Sequence, residues 1–287
     1  MTTKKSVAVI AAILFLALAF VAWALIQQNS EPIWNGMPLS AWTEDLATGS
    51  SREIREAADD AIRHIGAAGV PSLLKMLRAR DTTLHSAVVR LIRELNRRQS
   101  KMVFGVVSAR EQHVNAALAF EVLGPIGRPA IPELKKLLAR VPEPEFVADA
   151  LAGIGPEGVV AILESLPKVA PEKRWVLYSS AAKWPSQAPA ITAALLRSIK
   201  SPNAEERRDA AGFLGRFKQD PATTVPALIS ALRDKEVKVR VQALSSLAEL
   251  GTNATTAIVP LMALARNKSW LPTSEVSNAL ARIQPAN

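Results

Sequence analysis

A similar pattern of apolar residues recurs along residues 40–287 at intervals of about 29–36 residues, and this period constrains the fold more than any other feature. In most units an apolar helical stripe ends at a turn residue such as Gly or Asn. The recurring pairs are Ile65-Gly66, Leu95-Asn96, Leu123-Gly124, Ile154-Gly155, Lys183-Trp184, Leu214-Gly215, Leu250-Gly251 and Arg282-Ile283. Units of this length are usually helix–turn–helix pairs that stack into a solenoid. The period therefore predicts an all-α solenoid of about seven to eight repeats.

The spacing within each unit is helical. Between Ile54 and Ile65 the apolar residues lie three and four positions apart, as they do on one face of an amphipathic helix. No stretch alternates apolar and polar residues as a half-buried strand would, so we expect almost no sheet. The units Arg78–Arg110 and Pro171–Pro189 are less regular, and the pattern leaves open whether they stack in register.

The first residues before the repeats have a different character. Residues 27–39 form a polar and Pro-containing linker that should be extended or turned. Ser40 is expected to cap a helix containing Trp42 and Leu46. Because terminal repeats need a cover over their apolar end, we interpret this helix as the amino-terminal cap of the solenoid.

The amino terminus has the composition of a membrane span. Residues 1–5 end in Lys4 and Lys5, and residues 6–26 carry no charge. About 20 apolar helical residues cross a bilayer, whereas the apolar region of a cleaved signal peptide has about 7–15 residues. We therefore predict an uncleaved transmembrane signal anchor at residues 6–26. Cleavage after Ala17-Leu18-Ala19 or Ala22-Trp23-Ala24 is the alternative, and would give a secreted protein.

Basic residues set the expected orientation of this anchor. Lys4 and Lys5 precede the span, and the first basic residue after it is Arg52. Positive flanks stay in the cytoplasm, so residues 1–5 should be cytoplasmic and the solenoid periplasmic or extracellular. The chain has no cysteine, so no disulfide supports the fold.

Residues 50–285 resemble the HEAT-repeat family. The resemblance is carried by Pro226 in a first helix, Asp234 in the turn, and Val239 with Arg240 early in the second helix. The segment Ser201–Ala211 is similar, with Ser in place of the turn Asp, and residues 34–42 resemble the lead-in of bacterial membrane-anchored HEAT-repeat proteins. The resemblance implies a HEAT-like α-solenoid. The family includes scaffolds, transport factors, DNA glycosylases and bilin lyases, so it does not select one function.

Motifs for catalysis, cofactors and metals have structural explanations. Residues 153–158 match the dinucleotide fingerprint G-x-G-x-x-G, but that fingerprint follows a strand, and residues 146–154 read as a helix. His64, His85 and His113 lack metal-ligand spacing. The carboxylate pairs Asp59-Asp60 and Glu205-Glu206 are each expected on a solvated helix face. We therefore assign no catalytic, cofactor-binding or metal-binding residue, and expect a protein that is not an enzyme.

Basic residues suggest one binding surface. The chain has 35 Lys and Arg against 26 Asp and Glu, a net charge of +9. Arg90, Arg93 and Arg97 share one helix face opposite an apolar stripe, and Arg98 extends the group. The pattern fits either a solvated face or a patch for an anionic partner, which would be an acidic protein, an anionic lipid or an envelope polymer.

Aromatic residues suggest a second surface. Trp175, Tyr178 and Trp184 fall within ten residues, and Tyr178 is the only tyrosine. Such residues either anchor a protein partner or fill the gap left by an irregular turn. Trp175 and Tyr178 are therefore partner-binding candidates, and their exposure would separate the two interpretations.

The expected function is a membrane-anchored, non-catalytic protein-binding scaffold. A nucleic-acid binder resembling HEAT-type DNA glycosylases is one alternative, although an exported domain would meet no genomic DNA, so nucleic acid is not the expected partner. A bilin-lyase-like enzyme is the other alternative.

Overall fold

The computed structural model describes residues 31–81, 107–216, 220–266 and 273–284. Within these ranges the chain consists of α-helices and short 3-10 turns, apart from one small hairpin. The hairpin pairs β1, Ile33–Trp34, with the antiparallel β2, Met37–Pro38. The all-α fold predicted from the period is confirmed in these ranges, while the predicted anchor at residues 6–26 lies outside them.

The helices follow the predicted period. In chain order they are α1 (Leu39–Thr48), α2 (Arg52–Ile65), α3 (Val70–Leu77), α4 (Ala109–Leu123), α5 (Ile131–Leu138), α6 (Glu145–Ile154), α7 (Pro156–Ser165), α8 (Arg174–Ala181), α9 (Ala188–Ser198), α10 (Ala204–Arg216), α11 (Pro221–Ala231), α12 (Val237–Leu250), α13 (Ile258–Arg266) and α14 (Thr273–Ile283). Each unit is thus a pair of helices joined by a short connection.

The helix pairs stack in two rows. The helices that end at the recurring sequence pairs form an anchor row, in which α4 packs on α6, α6 on α8, α8 on α10, α10 on α12 and α12 on α14. The alternate helices form a second row, where α5 contacts α7 and α9 contacts α11. The irregular unit keeps its place, because α8 packs between α6 and α10 despite its two flanking 3-10 turns. Buried Leu, Ile, Val and Ala from both rows form one continuous core.

Glycine reverses the chain at the end of several anchor-row helices. Gly66, Gly124 and Gly251 follow α2, α4 and α12 with φ of 58°, 53° and 57°, and each begins a 3-10 turn. Only glycine adopts this left-handed conformation without a steric cost, which explains the recurring motif. Gly215 differs from the prediction, because it lies inside α10. A Cβ there would come within 2.6 Å of Ser246, so this glycine permits α10 and α12 to approach closely.

A repeated side-chain bond fixes the turn that precedes several anchor-row helices. An arginine in or beside the first turn donates to a main-chain carbonyl five or six residues earlier. We call this bond the arginine clamp, and it joins Arg55 to Gly49 (2.5 Å), Arg174 to Val169 (3.0 Å), Arg207 to Ser201 (2.8 Å) and Arg240 to Asp234 (2.8 Å). Hydrogen bonds to a charged donor are stronger than neutral ones, so each clamp holds its turn against the helix.

The amino-terminal cap differs in detail from the prediction. α1 packs against α2 and α4 and buries Leu39, in agreement with a covering role. The prediction that Ser40 caps this helix is wrong, because α1 begins at Leu39 and Pro38 holds the cap position without a side-chain bond. The Ser40 amide instead donates to the Glu31 carboxylate at 3.0 Å.

One described stretch, Val237–Arg266, is long and apolar enough to cross a membrane. It is a repeat unit of the solenoid, because the chain turns at Gly251 and several of its apolar residues pack in the core. Val239, Leu247 and Leu261 are completely buried, and α12 packs along α10. Val237–Arg266 is therefore a candidate membrane span by length and composition only, and its two helices belong to the stacked repeats.

Candidate protein-binding surface

A groove on the anchor row lies beside the exposed Trp175. The indole is 49% exposed, although tryptophan is highly buried on average in folded proteins. Next to it, α8, α10 and α12 enclose a volume of 310 Å³. The residues that line this space, which we call the Trp175 groove, are Trp175, Ser179, Arg208, Asp209, Gly212, Phe213, Arg216 and Gln242. An exposed indole beside a concave surface is the arrangement expected of a contact site.

The floor of the groove depends on a glycine. A Cβ at Gly212 would lie 3.2 Å from the side-chain nitrogen of Gln242, so the missing side chain leaves room between α10 and α12. Phe213 is largely buried beneath the surface, and its ring meets that of Tyr178 at a centroid distance of 5.8 Å. The groove therefore has an apolar base supported by the core.

Two arginines form the polar part of the groove. Arg208 is held by Asp209 at 2.7 Å and by Glu205 at 2.5 Å, and the hydrogen bond that it donates to Asp209 raises the pKa of this guanidinium. The Arg216 guanidinium lies 5.3 Å from the centre of the Phe213 ring, a cation–π contact that leaves its N–H groups exposed. The groove thus presents hydrogen-bond donors beside an aromatic surface.

Tyr178 has to be removed from the partner-binding candidates. Its ring is 1% exposed, so it cannot touch a partner without unfolding of α8. The phenol shares a hydrogen bond of 2.8 Å with Ser198, and burial raises the pKa of Tyr178. Tyr178 therefore fills the core, whereas Trp175, three residues earlier on the same helix, faces solvent.

Trp184 fills the irregular turn. Its indole nitrogen donates to the carbonyl of Ala152 at 2.6 Å, and its ring lies over Gly155, the residue that separates α6 from α7. Of the aromatic group noted in the sequence, Trp175 is thus the member that offers a surface to a partner.

A buried carboxylate lies behind the groove and was missed by sequence reasoning. Glu206 is 3% exposed and accepts hydrogen bonds from Arg174 at 2.5 Å, Ser198 at 2.7 Å and Ser201 at 2.5 Å. Burial raises the pKa of Glu206, but these hydrogen bonds outweigh it, so the pKa lies below its ordinary value. The expectation of a solvated Glu205-Glu206 pair is therefore wrong for Glu206. The sequence feature that points to this buried carboxylate is Arg174, one of the arginines that recur at the start of the anchor-row helices and the charged partner of Glu206.

A second ion pair joins the next two units. Arg207 donates to both carboxylate oxygens of Asp234, at 2.7 and 2.9 Å, and this hydrogen bonding lowers the pKa of Asp234. The two-point geometry of the guanidinium fixes the orientation as well as the distance. Asp234, the turn Asp of the HEAT signature, thus accepts hydrogen bonds from Arg207, the arginine-clamp residue of the preceding unit.

A larger cleft of 640 Å³ lies where α3, α4, α5 and α6 meet. Its described polar groups bond mainly to the protein itself. The amide of Ala109 donates to Asp81 at 2.9 Å, and the His113 ring bonds to the carbonyl of Ala79 at 3.0 Å. Arg110 lies 5.3 Å from the centre of the Phe146 ring. These contacts hold the start of α4 against the neighbouring units.

The glycine motif and His64 noted in the sequence have structural roles. The G-x-G-x-x-G segment joins helix α6 to helix α7, and a Cβ at Gly158 would lie 1.7 Å from the carbonyl oxygen of Leu151, so this glycine serves helix packing. Among the described residues, no group of three or more His, Asp or Glu side chains is arranged to hold a metal ion. His64 stacks on Trp34 at 3.3 Å between ring centres. Arg90, Arg93, Arg97 and Arg98 lie outside the described residues.

Comparison with known proteins identifies the repeats of the carboxy-terminal part. Residues 189–282 match the family model described as HEAT repeats. No curated protein sequence matches the chain. The matched range contains the signature residues Pro226, Asp234, Val239 and Arg240, and the HEAT resemblance noted in the sequence is confirmed there.

Solved structures that match this chain at low identity include two engineered proteins from the Northeast Structural Genomics Consortium. The match to the first protein covers 85% of this chain and 77% of the engineered chain, with 20% identity and a TM-score of 0.39. The match to the second protein covers 85% of this chain and 96% of the engineered chain, with 20% identity and a TM-score of 0.30. A third match is the complex of CpcE and CpcF of phycocyanin lyase from Nostoc sp. PCC7120. It covers 89% of this chain and 99% of the matched chain, with 17% identity and a TM-score of 0.32.

Proposed function

We propose, from the HEAT repeats that make up residues 189–282, that this protein is a non-catalytic scaffold that binds a partner protein at the Trp175 groove. The half-exposed indole of Trp175 is the observation that carries this proposal. HEAT repeats generally mediate protein interactions, and Trp and Arg are the residues most enriched among those that dominate binding energy. Both residue types meet in this groove.

The dimensions of the groove favour a protein partner over a small ligand. Its 310 Å³ is at the lower end of the range of about 300–1,000 Å³ for ligand pockets, and one side of it is open. An apolar side chain of a partner would pack between Trp175 and Gly212. The guanidinium groups of Arg208 and Arg216 would bond to carbonyl or carboxylate oxygens at the rim, where polar contacts are usual in interfaces.

A site-specific photocrosslinker tests the proposal. It would replace Ser179, which lines the groove, and in a control protein it would replace Val259, which is 75% exposed on the second row. A partner crosslinked from Ser179 and not from Val259 is then purified and its affinity measured. Because a buried Trp anchor contributes about 2 kcal/mol or more, Trp175→Ala should weaken binding about thirtyfold. Equal crosslinking at both positions, or an unchanged affinity for Trp175→Ala, would refute the proposal.

We also propose that residues 6–26 anchor the scaffold in the membrane, with the solenoid periplasmic or extracellular. The support is the uncharged length of this segment behind Lys4 and Lys5. A reporter active only outside the cytoplasm, fused after Asn287, should be active and should resist alkaline extraction from membranes. Activity without retention would indicate a cleaved signal. An inactive reporter would place the basic solenoid inside the cell and favour the nucleic-acid alternative.

The proposal assigns no catalysis to the described residues. Glu206, a carboxylate close to the groove, is 3% exposed and does not line the groove, and its oxygens accept three hydrogen bonds from the protein itself. An absorbance change of added bilin on mixing with the purified chain would instead support the lyase alternative.

A further inference from the structure

Each second-row helix from α5 onward is followed or ended by a basic residue. We call these five residues the basic ladder, and they are Arg140, Lys168, Lys200, Arg233 and Arg266. They recur at intervals of 28 to 33 residues, one in each unit, and all are exposed. Helices of one row run in the same direction because the chain reverses twice in each unit. The basic ladder therefore lies along a single edge of the solenoid.

The side chains of the ladder residues have no bonded partner: within the described part of the chain, they form no ion pair or hydrogen bond. Some bases elsewhere do, since Lys135 bonds to Glu164 at 2.6 Å and Lys183 to Asp149 at 3.0 Å. In the same described ranges, Lys75, Lys235 and Arg282 are exposed without such a bond, but they do not recur in every unit as the ladder residues do. A one-per-unit base that is left unpaired is available to an external anion.

Two ladder residues act on nearby carboxylates without a direct bond, because Arg140 contributes to lowering the pKa of Glu133 and Lys168 that of Glu164. Three acids on this edge form ion pairs with bases of the anchor row: Glu143 pairs with Arg110 at 3.6 Å, Glu206 with Arg174, and Asp234 with Arg207. The positive charge of the ladder is therefore not cancelled by these turn carboxylates.

The helix dipole explains only part of this pattern. A base near a helix carboxyl terminus is favourable, which accounts for individual ladder residues. However, Glu121 and Glu249 lie in the last turns of α4 and α12, where the dipole disfavours an acid. These acids lie on the edge opposite the ladder. That edge is mixed in charge, because Arg63, Arg216 and Arg282 lie in the last turns of α2, α10 and α14.

We propose that the basic ladder binds an extended acidic segment of a partner protein, an inference that rests on the scaffold function and adds the chemistry of the partner. Packed helices are about 8–10 Å apart, and an extended chain in the polyproline II conformation rises about 3.1 Å per residue with three residues per turn, which brings every third side chain to one face. One ladder step therefore corresponds to about three residues of an extended peptide. The matching sequence carries Asp or Glu at about every third position.

The surroundings of the ladder favour a peptide over single-stranded nucleic acid. Proteins that bind single strands combine basic grooves with aromatic platforms on which the bases stack. Among the described residues, Trp175 is the exposed large aromatic side chain, and it lies on the anchor row in α8. The ladder edge thus supplies charge without stacking surfaces.

Fluorescence anisotropy with labelled peptides tests this inference on the full chain. The probe is a peptide of about 15 residues in which Glu occupies every third position among Gly and Ser. A second peptide has the same composition with its Glu residues adjacent. The ladder variant combines Arg140→Gln, Lys168→Gln, Lys200→Gln and Arg233→Gln. A matched variant with the same change in net charge combines Arg52→Gln, Arg63→Gln, Arg128→Gln and Lys183→Gln.

We expect the spaced peptide to bind more tightly than the clustered one, with a dependence on salt. The ladder variant should lose about tenfold or more in affinity, and the matched variant less than about threefold. Equal losses in the two variants, or no binding by the native chain, would overturn the inference. Thermal unfolding of each variant verifies that the solenoid remains folded.

Two further probes separate the other polyanions. Vesicles of phosphatidylglycerol and phosphatidylcholine, or an oligothymidylate, would overturn the peptide assignment if either bound more tightly than the spaced peptide in a ladder-dependent way. The outcome is independent of the groove. If Trp175→Ala abolishes partner binding while the ladder variant binds the peptides like native protein, the ladder inference fails and the scaffold proposal stands.

Discussion

Replacement of Glu206 by Ala tests the buried network that joins α8, α9 and α10. The Glu206 carboxylate is 3% exposed and accepts three side-chain hydrogen bonds, one of them from the charged Arg174. Its removal leaves a guanidinium and two hydroxyl groups in a site that water scarcely reaches. Breaking a buried ion pair in this way costs about 3–5 kcal/mol.

The expected loss lies near the lower end of that range. The Arg174 side chain is 18% exposed and can recover some hydration, so we expect Glu206→Ala to lower the free energy of unfolding by about 3 kcal/mol. For a domain of this size, that corresponds to a Tm lower by about 6–12 °C. Glu205→Ala is the matched control, because Glu205 is the adjacent carboxylate and its pairs with Arg208 and Lys238 are exposed. Exposed pairs contribute little, so the control should unfold nearly like the native protein.

Urea denaturation followed by circular dichroism measures both variants. Because stacked repeats can unfold unit by unit, hydrogen exchange of residues 174–216 is measured as well, and it should increase in Glu206→Ala alone. If Glu206→Ala and Glu205→Ala had the same stability and exchange, the network would not join these units and the reasoning would be refuted.

Other changes have defined outcomes. Because hydrogen bonds keep the folded pKa of Glu206 below its ordinary value of 4.5, its stabilisation is full above about pH 4.5 and is lost as the pH falls through the folded pKa; Glu206→Gln should flatten the acid side of a plot of Tm against pH. Gly158→Ala would place a Cβ 1.7 Å from the oxygen of Leu151 and should cost about 3 kcal/mol in urea unfolding, whereas a stable variant would contradict the close packing of α6 and α7. Tyr178→Phe removes the bond to Ser198 and keeps the ring, so calorimetry should show a loss of about 1 kcal/mol, and a loss above about 3 kcal/mol would show that more than this bond depends on the hydroxyl.

The period of the sequence predicted the stacking of the helices well. Gly66, Gly124 and Gly251 mark reversals of the chain, and the left-handed conformation at each of them is the reason that glycine recurs. The signature residues Asp234 and Arg240 also lie where the HEAT resemblance places them, on a turn and early in the following helix. Local periodicity determines these features, so they can be read without knowledge of neighbouring units.

Features that depend on contacts between units were not predicted. Glu205 and Glu206 are adjacent, yet one is exposed and the other buried, because Arg174 and Ser198 approach only Glu206. Trp175 and Tyr178 are three residues apart on α8, and the position of α10 decides which of them is covered. Spacing along one helix gives the angle between two side chains, but the neighbouring helix determines which angle faces the core.

The arginine clamp has a consequence for how the chain can diverge. Its acceptors are main-chain carbonyls, at Gly49, Val169, Ser201 and Asp234, and a carbonyl is supplied by every amino acid. A mutation in the turn therefore leaves the acceptor in place, and the geometry of a unit depends on one arginine instead of a particular loop sequence. Turn residues are thereby free to change from one unit to the next, so new surface chemistry can evolve along this edge while the stacking of the helices is preserved.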